Sequence, residues 1–429
     1  MKKSFMPQFE NIDQLFDHQL EGLKWTVSHA YKGSSFYKKQ FEAVGVAPSD
    51  ITSLDDLSRL PFTTGNDLKE GYPLPLLSVP EKDVVRIHAS SGTTGKRKIL
   101  SYTQNDLDIW FDMFARCYEM AGLTQEDRVQ IAVGYGVWTA GMGFQLGCER
   151  FGALAIPVGP GNIDMQCQFL VDMQSTVFCC TASMALLMAE EVNNRDIKDQ
   201  INLKKIILGS ERCSAVMQSK IKRLLGLEDM FDITGMTELY GPGTGLDCPE
   251  HEGIHYWADN YILEILDPDT LKPVKDGEIG EMVVTTLCKE AAPLVRYRTR
   301  DLTRKISKSC SCGNILPMHD KIMGRSDDMI ILRGVNIYPG QIDEVLSSIP
   351  EMGSEYQLYL DRKEDGKEYM TIKVETRQRI GLANLEDIKT KIKKTIKAKI
   401  MVSCDAHICA YGELPRYAGK AQRIFDNRT

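Results

Sequence analysis

"ALAIPVGPGNIDMQCQFLVDMQSTVFCCTASMALLMAEEV", Ala153 to Val192, carries the fold class. "ALAIPVG" and "TVFCCT" are short apolar runs that read as strands. "IDMQCQFLVDMQ" and "ASMALLMAEEV" have helical length and spacing. Strand, helix, strand and helix in succession predict an α/β fold with a largely parallel sheet. The alternation continues in both directions. Upstream stand a helical "NDLDIWFDMFARCYEMAG" and a strand-like "VQIAVGYG"; downstream stand "KKIILGS" and the helical "SAVMQSKIKRLLG".

The first hundred residues read as helices and turns. "LEGLKWTVSHAY" is amphipathic, and "SSFYKKQFEAVGV" opens on serine caps and closes near glycine. Beyond about residue 255 the pattern changes. "YILEILDPDTLKPVKDGEIGEMVVTTL" is two β-rich runs joined by Asp, Pro and Gly, which predicts a small antiparallel or mixed subdomain. "GRSDDMIILRGVNIYPGQIDEVLSSI" opens a new α+β unit that continues through "SEYQLYLDR", "EYMTIKVET", a basic helix and "CDAHICAYG". We place the boundary so that residues 1–325 form the large N-terminal domain and 326–429 the small C-terminal one. In "IKTKIKKTIKAKI", isoleucines 388, 392, 396 and 400 recur every fourth residue, and lysines cover the other face.

The 429 residues suit two or three domains, and 43% hydrophobic content supports a large core. A net charge of -7 argues against a general nucleic-acid binder. The N-terminus has two lysines but no apolar h-region, so no secretory signal is read, and no apolar run reaches ~18 residues. The scattered cysteines therefore read as reduced thiols of a cytoplasmic protein. Cys117, Cys148, Cys167, Cys179 and Cys180 read as small core hydrophobes.

"ASSGTTGKRK", Ala89 to Lys98, is the tract made for phosphate. Ser90, Ser91, Thr93 and Thr94 offer hydroxyls. Gly92 and Gly95 let backbone N–H groups approach an anion, and Lys96, Arg97 and Lys98 add positive charge. It is not a Walker A loop, because too few residues separate the glycine from the GK. A polar hairpin turn is the bland alternative. "DVVRIHAS" before it is strand-like.

Four further segments follow in order: "DITGMTELYGPG", "VRYRTRDLTRK", "GRSDDMIILRGVNIYPGQIDEVL" and "LPRYAGKAQRIF". With the phosphate tract they resemble the core motifs of the adenylate-forming superfamily of acyl-CoA synthetases, luciferases and peptide-synthetase adenylation domains. The closer resemblance is to the phenylacetate–CoA ligase family. It covers nearly the whole chain and includes "YGVWTAGMGFQLGCERFGALAIPVG" and "TTLCKEAAPLVRYRTRDLTR". The resemblance implies an ATP-dependent ligase with a mobile C-terminal domain. A small carboxylic acid, phenylacetate or another aromatic acid, would become acyl-AMP with loss of pyrophosphate, and then the thioester of coenzyme A. It also implies a homodimer. The alternatives are an adenylyltransferase of the same fold that forms no thioester, and a non-catalytic nucleotide-binding protein.

Carried onto this sequence, the resemblance gives Ser90 to Lys96 the phosphates of ATP. It gives Glu238 the Mg²⁺ and Thr237 the α-phosphate. Asp232, Thr234, Gly235 and Met236, with Ser210 and Glu211 of "GSE", would line the nucleotide. Thr234 stands where the superfamily generally has tyrosine. Asp301 would accept from the ribose hydroxyls, with a salt bridge to Arg298 or Arg300 as the alternative. Arg325 would lie near ribose or phosphates, and Asp327 would be the hinge. Lys420 would bridge the carboxylate and the α-phosphate in the first transition state. Tyr135, Gly136, Trp138 and Thr139 would form the acyl pocket, with core packing as the alternative.

Cys248, Cys310 and Cys312, with His255 or His251, have the residue types of a tetrahedral Cys₃His zinc site. Some members of the family carry such a site close to this place. We favour His255, and free thiols are the alternative. The zinc would be structural, because protein fills all four positions.

Overall fold

The computed structural model describes residues 4–90, 96–327, 330–333, 335–362, 367–376, 385–415 and 423–428. The chain forms two compact units. One comprises Met1–Gly159, Thr176–Cys179 and Phe231–Ile322, the other Pro160–Ser175, Cys180–Met230 and Met323–Thr429.

In the first unit the amphipathic N-terminal stretch is the helix Ile12–Gly33. It starts where the Asn11 side chain accepts from the Gln14 N–H, and it buries Leu15, Leu23, Val27 and Ala30 along one stripe. Ser34 sits at the start of the next helix, Ser35–Ala43, but its hydroxyl makes no capping bond.

The strand Arg128–Ile131 pairs in parallel with Leu154–Ile156 on one side and Val177–Thr181 on the other. Every residue of Val177–Thr181 is buried, as in a parallel strand covered on both faces. The helices Gln104–Met120 and Ala140–Phe151 cross closely because one supplies aromatics and the other glycines. A Cβ on Gly143 would stand 2.5 Å from the Phe114 ring, and one on Gly147 would stand 2.3 Å from the Phe114 side chain. Gly241 and Gly243 of the strand Gly241–Asp247 leave the same kind of room for Trp110 and Phe114.

Antiparallel pairing takes over from there. Asp229–Met236 pairs with Gly241–Asp247, which pairs with Ile254–Tyr256; Met318–His319 joins that strand and carries Lys305–Ile306 outside it. The β-rich subdomain is a meander. Tyr261–Leu266 pairs antiparallel with Gly280–Thr286, which pairs with Tyr297–Thr303.

The second unit contains the helices Ile163–Asp172, Ala182–Asn194 and Ala215–Leu225 and the strand Lys205–Gly209. Thr181, Asn162 and Ser214 each cap the helix they precede with a side-chain oxygen. Its C-terminal part has a four-stranded sheet in the order Asp405–Cys409, Glu368–Thr376, Met352–Arg362, Ile424–Asp426, in which the two central strands form an antiparallel hairpin. The helices Pro339–Ser347 and Leu385–Ile400 complete its core. Ile388, Ile392, Ile396 and Ile400 are buried there, with the lysines outside. Among the described residues no helix is long and apolar enough to cross a membrane.

Candidate active site

The strands Arg86–Ala89 and Ile99–Tyr102 pair antiparallel with Ala89 opposite Ile99, and Ser90 N donates to Lys98 O at 3.0 Å. The phosphate tract is thus the connection of a β-hairpin. Ser91, Gly92, Thr93, Thr94 and Gly95 lie outside the described residues. Lys96 is exposed, its Nζ 5.3 Å from the centroid of the Tyr72 ring.

Thr237 and Glu238 stand in the turn between Asp229–Met236 and Gly241–Asp247. The turn is tight. A Cβ on Gly235 would meet Gly241 O at 2.1 Å, at a φ of +151° that glycine accepts. Glu238 is buried, and its Oε1 accepts from Lys98 Nζ at 2.7 Å and from Tyr297 Oη at 3.1 Å. Burial by itself would raise this carboxyl. The adjacent, hydrogen-bonded Lys98 ammonium and the Tyr297 hydroxyl outweigh it, and the net displacement is downward. Glu238 is therefore a carboxylate at neutral pH, held at the base of the phosphate hairpin. Neither Lys98 nor Tyr297 was assigned to Glu238 from sequence. The signals were present: Lys98 is the last cation of "GKRK", and Tyr297 opens "YRTRD".

Thr237 Oγ1 lies 3.3 Å from Thr139 Oγ1. That contact brings the "GYGVWTAG" segment to the same turn. The segment is also tied to the hairpin, since Val137 O accepts from Ala89 N at 2.8 Å and lies 3.1 Å from His88 Nδ1. Burial lowers His88 to about 4, so the ring is neutral at pH 7, and Nδ1 carries the proton that the carbonyl accepts. The Tyr135 hydroxyl is buried with no hydrogen-bond partner among the described residues, and burial pushes the phenol up. Gly136 is exposed at φ +88° with open space beside it, and Trp138 lies against Gly134.

Other predicted contacts have their own company. Asp232 is buried and paired with Lys321. The Thr234 carbonyl accepts from Thr244 at 3.4 Å. Met236 ends its strand half-buried. Asp301 lies on Tyr297–Thr303, its N–H donating to Thr299 Oγ1 at 3.0 Å. Arg298 turns instead to the fully buried Glu281, which it grips with two bonds of 3.0 and 2.7 Å, and Arg300 approaches the same carboxylate at 3.5 Å.

In the second unit, Ser210 adopts φ +67°, and Glu211 accepts from Ser183 N at 3.0 Å. Arg325 grips Asp327 with two bonds of 2.9 and 3.1 Å. Lys420 lies outside the described residues.

The ligand atoms of Cys248, His255, Cys310 and Cys312 all lie within 4.8 Å of one another. Cys248 Sγ is 3.4 Å from Cys310 Sγ, and Cys312 Sγ is 3.4 Å from His255 Nε2. The sulfur pair is too far apart for a disulfide of ~2.05 Å. The cluster matches the span of a tetrahedron with metal bonds of ~2.0–2.3 Å. His255 Nδ1 is 2.8 Å from Leu316 O, which fixes the ring with Nε2 facing the thiols. His251 is engaged elsewhere, its Nδ1 2.8 Å from Asp247 Oδ2. Three thiols and an imidazole around one point fit zinc.

A family model described as AMP-binding enzyme matches residues 31–288, and one described as AMP-binding enzyme C-terminal domain matches residues 334–428. The chain is 39% identical to the phenylacetate-coenzyme A ligase of Pseudomonas putida over 97% of this chain and 95% of that protein. It is 38% identical to the phenylacetate-coenzyme A ligase of Escherichia coli (strain K12) over 97% and 96%. Among solved structures, 2-hydroxyisobutyryl-CoA ligase in the postadenylation state in complex with R3-HIB-AMP superposes with a TM-score of 0.89 at 25% identity, covering 98% of this chain and 91% of that one. The same ligase in complex with 2-HIB-AMP and CoA in the thioesterification state gives 0.72 at 26% identity, covering 99% and 91%.

Proposed function

The chain belongs to the phenylacetate–CoA ligase family of AMP-binding enzymes, AMP-forming acid–CoA ligases, and we propose that its acid is phenylacetate or another aromatic acid. The acid carboxylate attacks the α-phosphorus of ATP, the bond to the β-phosphate oxygen breaks, and pyrophosphate leaves. The thiol of coenzyme A then attacks the acyl carbon, AMP leaves with the bonding pair, and the thiol proton passes to solvent. A carboxylate needs no general base at neutral pH. The first half needs alignment and neutralisation of the phosphate oxygens.

The observation that carries this reading is the convergence on one turn. The end of the phosphate hairpin, at Lys98, meets Glu238 at 2.7 Å, and Thr237 meets Thr139 of the aromatic segment at 3.3 Å. The hairpin and the aromatic segment therefore meet at Thr237–Glu238, which supports assigning the phosphates to one and the acid to the other. Glu238, kept ionised, is a hard oxygen ligand of the kind Mg²⁺ takes; when bound there, that ion would neutralise charge on the phosphates. In our assignment Ser90 to Lys96 hold the β- and γ-phosphates, and Thr237 donates to the α-phosphate. Asp232, Thr234, Gly235 and Met236, with Ser210 and Glu211, line the nucleotide. Asp301 accepts from the ribose, Arg325 stands near it, and Asp327 is the hinge between domains 1–325 and 326–429. Tyr135, Gly136, Trp138 and Thr139 receive the ring of the acid. Lys420 neutralises the transition state. Zinc on Cys248, His255, Cys310 and Cys312 pins two loops. A cytoplasmic homodimer completes the proposal.

ATP–pyrophosphate exchange over a panel of aromatic and aliphatic acids is the test. Exchange stimulated by arylacetic acids, with AMP release that requires coenzyme A, supports the reading. AMP release independent of coenzyme A would replace the ligase with an adenylyltransferase, and exchange stimulated by aliphatic acids alone would remove the aromatic acid.

A further inference from the structure

Four consecutive carbonyls, those of Thr237, Glu238, Leu239 and Tyr240, are held by two side chains from distant parts of the first unit. Lys289 Nζ donates to Glu238 O at 3.0 Å and to Leu239 O at 2.8 Å. Tyr102 Oη shares its proton between Thr237 O at 3.1 Å and Tyr240 O at 2.9 Å. Carbonyls of a tight turn that join no sheet ladder need such partners, because an unpaired buried carbonyl costs ~1–3 kcal/mol.

The choice of a lysine is informative. Lys289 is fully buried, which is rare for this residue, and taking an ammonium out of water costs several kcal/mol unless its surroundings compensate. Here they do. The ammonium lies 4.7 Å from the centroid of the Tyr102 ring and 5.0 Å from that of Tyr240, and it feels the carboxylates of Asp106 and Glu238. Asp106, itself fully buried, accepts from Glu290 N at 2.7 Å and Ala291 N at 3.0 Å. It thereby anchors the backbone immediately after Lys289. The chain of support runs from the helix Gln104–Met120 through Asp106 to the 289–291 segment, and from Lys289 to the turn. A neutral donor would satisfy a carbonyl with less desolvation. A cation also places positive charge behind the turn that carries Thr237 and Glu238.

We propose that Lys289 is a positioning residue for acyl-adenylate formation: it clamps the Thr237–Tyr240 turn at Glu238 and Leu239 so that the Glu238 carboxylate meets the nucleotide in fixed geometry. This rests on the assignment of Glu238 to the Mg²⁺–ATP site. The full-length variants Lys289→Met, Glu238→Gln and the double variant are compared in ATP–pyrophosphate exchange, with titrations of Mg²⁺ and of the acid. Lys289→Met is expected to lower the saturated rate about 10–100-fold and raise the half-saturating Mg²⁺ severalfold. KM for the acid stays within about twofold, a split that general loosening would not give. In the Glu238→Gln background the same substitution should change the rate less than about threefold, since both act through one group. A full, additive loss in that background overturns the Lys289 proposal and leaves the Glu238 assignment intact. A wild-type rate for Glu238→Gln alone overturns that assignment and this proposal with it. Should Lys289→Met fail to fold, Tyr102→Phe, which deletes one hydroxyl, carries the test; an unchanged rate and Mg²⁺ requirement in that variant also overturns the proposal.

Discussion

Burial of Lys289 has a signature in stability as well as in rate. Burial lowers its pKa from 10.5 to about 8, against the pull of Asp106 and Glu238. Between those values the unfolded chain holds a proton that the folded chain has released, so stability contributed through this group rises with pH. The groups around it leave the comparison with Lys289→Met clear. Glu238, displaced downward from the ordinary carboxylate range, is ionised throughout it. Cys288, pushed up to about 11, and Tyr102 and Tyr240, held by burial well above their ordinary range, lose protons inside this window only in the unfolded chain, and that contribution is common to wild type and Lys289→Met, so it cancels in their difference. The difference in unfolding free energy between wild type and Lys289→Met is therefore expected to move in favour of wild type from pH 8 to 10.5, by on the order of 3 kcal/mol. Parallel thermal melts at half-unit pH steps measure it, and a flat difference would refute the lowered value.

At the scale of elements, two packings are open to test. Gly147→Ala would gain ~1 kcal/mol of helix propensity. However, the new Cβ would stand 2.3 Å from Phe114, on a facing helix with no slack. Overpacking costs ~1–3 kcal/mol, so the melting temperature is expected to fall by a few degrees; a rise would mean that the helices part more easily than their contacts imply. Cys312→Ser, at the exposed member of the thiol cluster, should purify with less than half the zinc of wild type and melt several degrees lower, by elemental analysis and calorimetry. The two variants differ in how readable their sites were. The strand Val177–Thr181 was legible as an unbroken apolar run, and the isoleucine face of Leu385–Ile400 as a recurrence at every fourth residue. The glycines at 143 and 147 stand within "TAGMGFQLG", where nothing marks them as a seat for Phe114, because a glycine gives no sign of what fills its space. The candidate site divides in the same way. Glu238, Thr237 and Thr139 stand in recognisable motifs. That Lys98 and Tyr297 share one oxygen of Glu238 was not legible, for they lie 140 and 59 residues from it. Lys289 reads in sequence as one more surface lysine until the carbonyls it serves are located.

For the molecule as a whole, the proposal separates two chemical steps that place different demands on one chain. Adenylation brings a carboxylate against a phosphate that already carries negative charge, and it is slow unless cations meet the developing oxyanions. Thioester formation starts from acyl-AMP, where that charge has left with pyrophosphate. A cation assigned to the first step should then be dispensable in the second. Lys420→Ala is accordingly expected to lower ATP–pyrophosphate exchange ~10²–10³-fold. Its rate of thioester formation from supplied acyl-AMP and coenzyme A should stay within about threefold of wild type. Glu238→Gln should give the same division, because the charge it answers leaves in the same step. Equal loss of both half-reactions in Lys420→Ala would mean that the lysine serves acyl-AMP binding throughout. Wild-type rates in both would mean that another cation faces the α-phosphate, and Lys98, now 2.7 Å from Glu238, would be the residue to substitute next.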